Sequence, residues 1–123
     1  MAIDVEPWLL GVPEGWHALL RALGRDIAAV CPKATIVQAK EKFGELRVYL
    51  SGANRAAFDR VDAAEQRSRS LCQRCGRPAQ LMVDDGFYAT LCPDHGRGFV
   101  PVKEAPIVTL RVRFRMDDDE DGG

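Results

Sequence analysis

Two short motifs limit what this chain can fold into: Cys72-x-x-Cys75 and, after sixteen intervening residues, Cys92-x-x-His95. Each places two ligand side chains on one tight turn, where both can reach a single ion. The stretch Gln80–Leu91 between them is long enough for a β-hairpin that brings the turns together. Three thiolates and an imidazole are soft-to-borderline donors that suit tetrahedral zinc. Four protein ligands leave no open position, so such a centre folds the polypeptide and does not activate water. The expectation is one structural Zn2+ held by Cys72, Cys75, Cys92 and His95. Asp94 offers a competing oxygen, but the x-x spacing and zinc's preference for nitrogen favour the imidazole.

Other uses of the cysteines fit less well. No basic-then-apolar N-terminal signal segment is visible, and Cys31 would be left over from a disulfide scheme. Both points argue for a reducing compartment, the cytoplasm. An iron–sulfur cluster usually wants four cysteines, and His95 argues against it. No apolar run approaches the roughly 20 residues that span a bilayer, so no membrane association is expected.

Periodicity supplies the framework around the motifs. Pro13 suits the first turn of a helix, where its missing N–H costs little. Trp16, Leu19, Leu20, Leu23, Ile27 and Val30 then recur at three- and four-residue spacing until Cys31-Pro32 stops the helix. Thr35–Lys42 and Glu45–Ser51 read as strands joined at Phe43-Gly44. A two-residue turn there sets Val37 opposite Leu50 and Ala39 opposite Val48 on an inner side, with Gln38 opposite Tyr49 and Lys40 opposite Arg47 outside. Arg55–Leu71 reads as a second helix with a narrower stripe of Phe58, Val61, Ala64 and Ser68, capped by Asn54 or Ser51. Leu81–Val83 and Phe87–Leu91 flank Asp84-Asp85-Gly86, a strong hairpin signal. Ile107–Met116 alternates Val108, Leu110, Val112 and Phe114 with Thr109, Arg111, Arg113 and Arg115, as a half-buried antiparallel strand does. The acidic tail Asp117–Gly123 has nothing to bury and is expected to be disordered.

The predicted fold class is therefore α+β, in the order α-β-β-α, zinc hairpin, β. Two helices pack on a small, mainly antiparallel sheet of strands near 35–42, 45–51 and 107–116. Residues 1–116 form one domain, which includes a zinc-ribbon-like module at 72–95. The expected core is Trp16, Leu19, Leu20, Leu23, Ile27, Val37, Leu46, Val48, Leu50, Phe58, Val61, Leu110, Val112 and Phe114.

Lys40-Glu41-Lys42-Phe43-Gly44-Glu45-Leu46-Arg47-Val48-Tyr49 resembles a K-E-K-F-G-x-L-R-x-Y segment of small bacterial and phage proteins. Ala64-Glu65, Ser68, Cys72-x-x-Cys75-Gly76 and Leu91-Cys92-x-x-His95 are similar to the zinc half of the same proteins, and Gly15-Trp16 with Leu19-Leu20 fit their opening helix. The resemblance spans Gly15 to His95. A second glycine often stands where this chain has Glu45, a departure that bears on the turn geometry. That family carries no assigned activity, so the resemblance implies a zinc-bearing fold and a prokaryotic or phage origin only.

Enzyme motifs are missing. There is no H-x-E with P-C-x-x-C, no phosphate-cradling G-x-x-x-x-G-K-[ST], no G-x-S-x-G elbow and no G-x-G-x-x-G. His17, beside Trp16 on a helix, reads as a packing residue, and Cys31 as a small buried hydrophobe. No small-molecule substrate is evident, and a non-enzymatic protein is expected. The formal net charge of −1 averages two unlike parts: residues 1–116 carry seventeen basic and thirteen acidic side chains, and the other five acids lie in the tail. If the helices cover the Val/Leu face of the sheet, its other face gathers Lys40, Lys42, Arg47, Tyr49, Arg111, Arg113 and Arg115. That face would suit a polyanion such as nucleic acid, with Tyr49 available for stacking. The competing expectation is a protein-interaction module, possible in a phage-encoded protein, gripping a host or virion protein through Phe43 and Arg47.

Overall fold

The computed structural model describes residues 3–102. The expected strand Ile107–Met116, with Leu110, Val112, Phe114, Arg111, Arg113 and Arg115, lies outside them, as does the tail 117–123.

A short helix α1 (Glu6–Leu9) has Pro7 in its first turn. It buries Leu9 and leaves Leu10 fully exposed. After Pro13, one 3₁₀ turn (Glu14–Trp16) runs into helix α2 (His17–Val30). The apolar stripe does what its spacing predicts: Trp16, Leu20, Leu23 and Ile27 are buried, with Leu19 and Val30 packed at the margin. The helix stops at Cys31, the residue constrained by Pro32. Cys31 is a buried hydrophobe, its thiol donating to the Gly52 carbonyl at 3.5 Å. His17 is also structural: its Nε2 lies 2.9 Å from the Leu9 carbonyl and 2.8 Å from that of Val12.

Strands β1 (Thr35–Lys42) and β2 (Glu45–Ser51) form an antiparallel hairpin closed by Phe43-Gly44. Both turn residues have positive φ, 54° and 80°, the geometry that matches the twist of the flanking strands. Gln38↔Tyr49, Ala39↔Val48 and Lys40↔Arg47 pair as the sequence predicts. The register then slips between Ile36 and Gln38. Leu50 is opposite Ile36, not Val37; Ile36 is buried, and Val37, assigned to the core by sequence, is 51% exposed. One bulged residue exchanges the faces of two adjacent β-branched side chains.

Helix α3 (Arg55–Ser68) begins at Asn54, whose side chain accepts the Ala57 N–H at 2.9 Å. It packs on α2 and buries Val61 and Ala64, with Phe58 half-buried. α3 also closes the outer edge of β2. Ser68 Oγ accepts the Leu46 N–H at 3.0 Å and Glu65 Oε2 the Val48 N–H at 2.9 Å. These side chains satisfy backbone donors that would otherwise need another strand. β2 is thereby buried on both faces, Leu46, Val48 and Leu50 on one, Glu45 and Arg47 on the other.

The C-terminal half is a second sheet of order β4-β3-β5, made of β3 (Gln80–Asp84), β4 (Phe87–Leu91) and β5 (Val100–Pro101). The β3–β4 hairpin closes on Asp85-Gly86, as its composition predicts. The α+β class holds, with three helices and two small antiparallel sheets among the described residues. A separate core cluster of Cys72, Met82, Ala89, Leu91 and Cys92 supports this half.

Candidate metal centre

Each ligand pair sits on a turn whose backbone is internally bonded. In the first, Cys72 N–H donates to the Arg77 carbonyl and Gly76 N–H to that of Cys72, both at 2.7 Å. The Arg74 N–H points at Cys72 Sγ, 3.4 Å away. In the second, Gly96 N–H donates to the Cys92 carbonyl at 2.8 Å. The β3–β4 ladder, in which Gln80 pairs with Leu91, sets the second turn beside the first.

The four donor atoms of Cys72, Cys75, Cys92 and His95 all lie within 4.8 Å of one another. Cys75 and Cys92 sulfurs are 3.7 Å apart, and His95 Nδ1 is 3.5 Å from Cys72 Sγ and 3.4 Å from Cys92 Sγ. A tetrahedral ion at about 2.3 Å from sulfur and about 2.0 Å from nitrogen has S–S edges of about 3.8 Å and S–N edges of about 3.5 Å. The cluster can therefore hold a four-coordinate metal ion. Asp94 does not join it; its carboxylate meets Arg77 Nη1 at 3.4 Å on the exposed surface.

The ligands are unequally covered. Cys72 and Cys92 are buried, His95 half-buried and Cys75 exposed. Burial pushes the Cys72 thiol up, but the N–H groups of Cys92, Arg74 and Cys75 and the His95 ring outweigh it and bring it to about 6. That is the thiolate character a metal ligand requires.

Of the expected binding residues, Lys40, Lys42, Phe43, Arg47 and Tyr49 lie among the described residues, and Arg47 is not on the surface. Arg47 is only 2% exposed; its Nε lies 3.3 Å from Glu45 Oε1, and the other Glu45 oxygen takes Arg69 at 2.9 Å. Arg47 is thus an internal ion-pair residue and no surface anchor, because α3 closes the β2 edge and its C-cap residue is Arg69. Phe43 packs edge-on to Tyr88 at 6.1 Å between ring centroids, and Lys42 Nζ lies 5.8 Å above the Phe43 ring. Lys40, Lys42 and Tyr49 are half-buried.

Sequence reasoning missed the joint between the metal hairpin and the body. Gly15 N–H donates to the Gln73 carbonyl at 2.8 Å, and Trp16 Nε1 to the Leu71 carbonyl at 2.9 Å. Thr90 Oγ1, fully buried, donates to the Gly44 carbonyl at 2.6 Å. Gln73 and Thr90 bond twice, Gln73 N–H to the Thr90 carbonyl and Thr90 N–H to Gln73 Oε1, each at 2.9 Å. The only cue was indirect: Gly15-Trp16 and Phe43-Gly44 stand in the segments that carry the resemblance. No protein-family model, curated protein or solved structure matches this chain.

Proposed function

We propose that Cys72, Cys75, Cys92 and His95 hold one structural zinc ion, and that the protein is a non-enzymatic interaction module built around it. The observation that carries this reading is the closed cluster of three sulfurs and one ring nitrogen with tetrahedral edges. Such a donor set selects zinc over magnesium or calcium, and a filled shell has no place for a reacting water. The nearest alternative groups are engaged elsewhere: Asp94 by Arg77, and His17 by two backbone carbonyls. Unpaired thiols suit the reducing cytoplasm.

A protein partner fits better than a polyanion. Burial of Arg47 removes one anchor of the expected basic face, and the excess of four basic side chains over residues 1–116 is well short of the strong basicity of dedicated nucleic-acid modules. Support for a protein contact comes from Phe87 and Val100, 61% and 58% exposed, with the Phe87 ring 6.2 Å from that of Phe99. Exposed apolar groups of this kind mark contact sites when they cluster.

Elemental analysis of protein purified without chelator tests the metal: one zinc per chain is expected, and none refutes it. Capture of native partners, with and without nuclease, tests the class. Partners lost on nuclease treatment, or direct binding to DNA or RNA that weakens steeply with salt, would replace the protein-module reading by the nucleic-acid one.

A further inference from the structure

The metal turns and the α/β body meet closely at two glycines, Gly15 and Gly44. A Cβ on Gly15 would collide with the backbone carbonyl of Cys72 and come within 2.7 Å of the Gln73 carbonyl carbon. A Cβ on Gly44 would lie 2.7 Å from a Leu81 methyl and 3.1 Å from the Ala89 backbone. Backbone thus rests on backbone where Gly15 meets the first ligand turn, and Gly44 rests on the Leu81 side chain and the Ala89 backbone of the β3–β4 hairpin. Contacts of this kind have little room to deform and transmit displacement.

The polar atoms across this joint form one chain. It runs from Gly15 to Gln73, from Gln73 to Thr90 by two hydrogen bonds, and from Thr90 Oγ1 to Gly44. Gln73 lies inside the first ligand turn, between Cys72 and Cys75, and Thr90 two residues before Cys92. The Gln73–Thr90 bonds therefore require the two ligand turns to be side by side, which is the arrangement one ion bridging both turns enforces. At the far end, Phe43 holds φ 54°, a region unfavourable for a bulky residue, while its ring is braced against Tyr88 on β4.

We infer that metal occupancy is transmitted through Gln73 and Thr90 to the Phe43–Gly44 tip, so that the ion acts as a latch holding the β3–β4 hairpin against the α/β body. This rests on the metal reading above. Gln73 and Thr90 are positioning residues: neither supplies a ligand atom, and both act through the ligand turns. When the ion leaves, the two turns separate, Thr90 no longer reaches Gly44, and the tip is released while the α2–α3 core keeps its own apolar stripe. The surface displayed by the protein then depends on metal supply.

The test uses the full chain, zinc-loaded and after chelation, with amide exchange followed by NMR. Chelation is expected to speed exchange at Gly44 and Thr90 roughly tenfold or more, and to shift the Trp16 indole N–H resonance, with α2 amides little changed. Thr90→Val keeps the shape and removes the hydroxyl donor. It is expected to bind Co2+ with the same stoichiometry and tetrahedral thiolate spectrum as wild type. Its Gly44 amide should exchange roughly tenfold faster with metal bound and respond little to chelation. A chain that binds neither zinc nor cobalt sinks the metal reading itself. Tetrahedral metal binding with no chelation effect at Gly44 or Trp16 overturns the latch alone. So does loss of α2 protection together with the tip, which would make the ion a support of the whole fold. If Thr90→Val leaves the metal dependence of Gly44 exchange at its wild-type size, transmission through Thr90 is wrong.

Discussion

Gly15→Ala is the sharpest probe of the joint. The added methyl would meet Gln73 carbonyl carbon and oxygen at 2.7 and 2.8 Å and collide with the Cys72 carbonyl, where carbon contacts are ordinarily about 3.5–4.0 Å. The obstacle is backbone inside a bonded ligand turn, so relief requires separating α2 from that turn. Overpacking costs about 1–3 kcal/mol, and loss of the Gly15 N–H bond to Gln73 about 1 kcal/mol more. Reduced unfolded-state freedom returns about 0.4–1 kcal/mol. The net destabilisation is about 1–4 kcal/mol, a large share of the roughly 5–15 kcal/mol typical of a domain. Urea unfolding of zinc-loaded protein should show a midpoint lower by about 1 M for a mid-range cost of about 2 kcal/mol and a slope of about 2 kcal/mol/M. Gly11→Ala is the control, because its Cβ would make ordinary contacts at 3.7 Å with the Ala39 carbonyl and 3.9 Å with the Trp8 carbonyl. If Gly15→Ala and Gly11→Ala unfold at the same urea concentration, the backbone-on-backbone joint is wrong.

The bulge in β1 predicts opposite outcomes for neighbouring residues: Ile36→Ala should cost about 2–4 kcal/mol and Val37→Ala less than about 0.5 kcal/mol in the same unfolding assay. Equal costs, or the reverse order, would restore the unbulged register. Burial pushes the Glu45 carboxyl above its ordinary 4.5, against the pull of Arg69 and Arg47. A raised folded-state value adds stability that is complete below the unfolded value and disappears as pH rises through the folded one. The stability of wild type relative to Glu45→Gln should therefore improve as pH falls from neutrality to about 4. A difference that shrinks over that interval would mean the two arginines, not burial, dominate. Cys92→Ala should abolish stoichiometric zinc and cobalt binding, whereas Asp94→Ala should leave both intact; metal lost from the Asp94 variant would put a carboxylate among the ligands.

What could be read from residues alone was whatever depends on near neighbours in the chain. Two x-x spacings place donor pairs on single turns, Asp85-Gly86 has the conformational preference its hairpin needs, and the period of Trp16 to Ile27 requires a helix with one buried side. Each is settled within a few residues, so each was legible before any partner element was known. Arg47 was not: its alternation with Leu46 and Val48 points outward, and only α3, with Glu65 and Ser68 on the β2 edge and Arg69 at Glu45, turns that outward side into interior. Val37 likewise changed faces because a bulge alters alternation without altering composition. Gly15 and Thr90 carry no local signature, since an ordinary helix start accommodates one and a strand the other. Their roles exist only where two segments far apart in sequence come to lie against each other, because steric exclusion and hydrogen-bond geometry act through space and not along the chain.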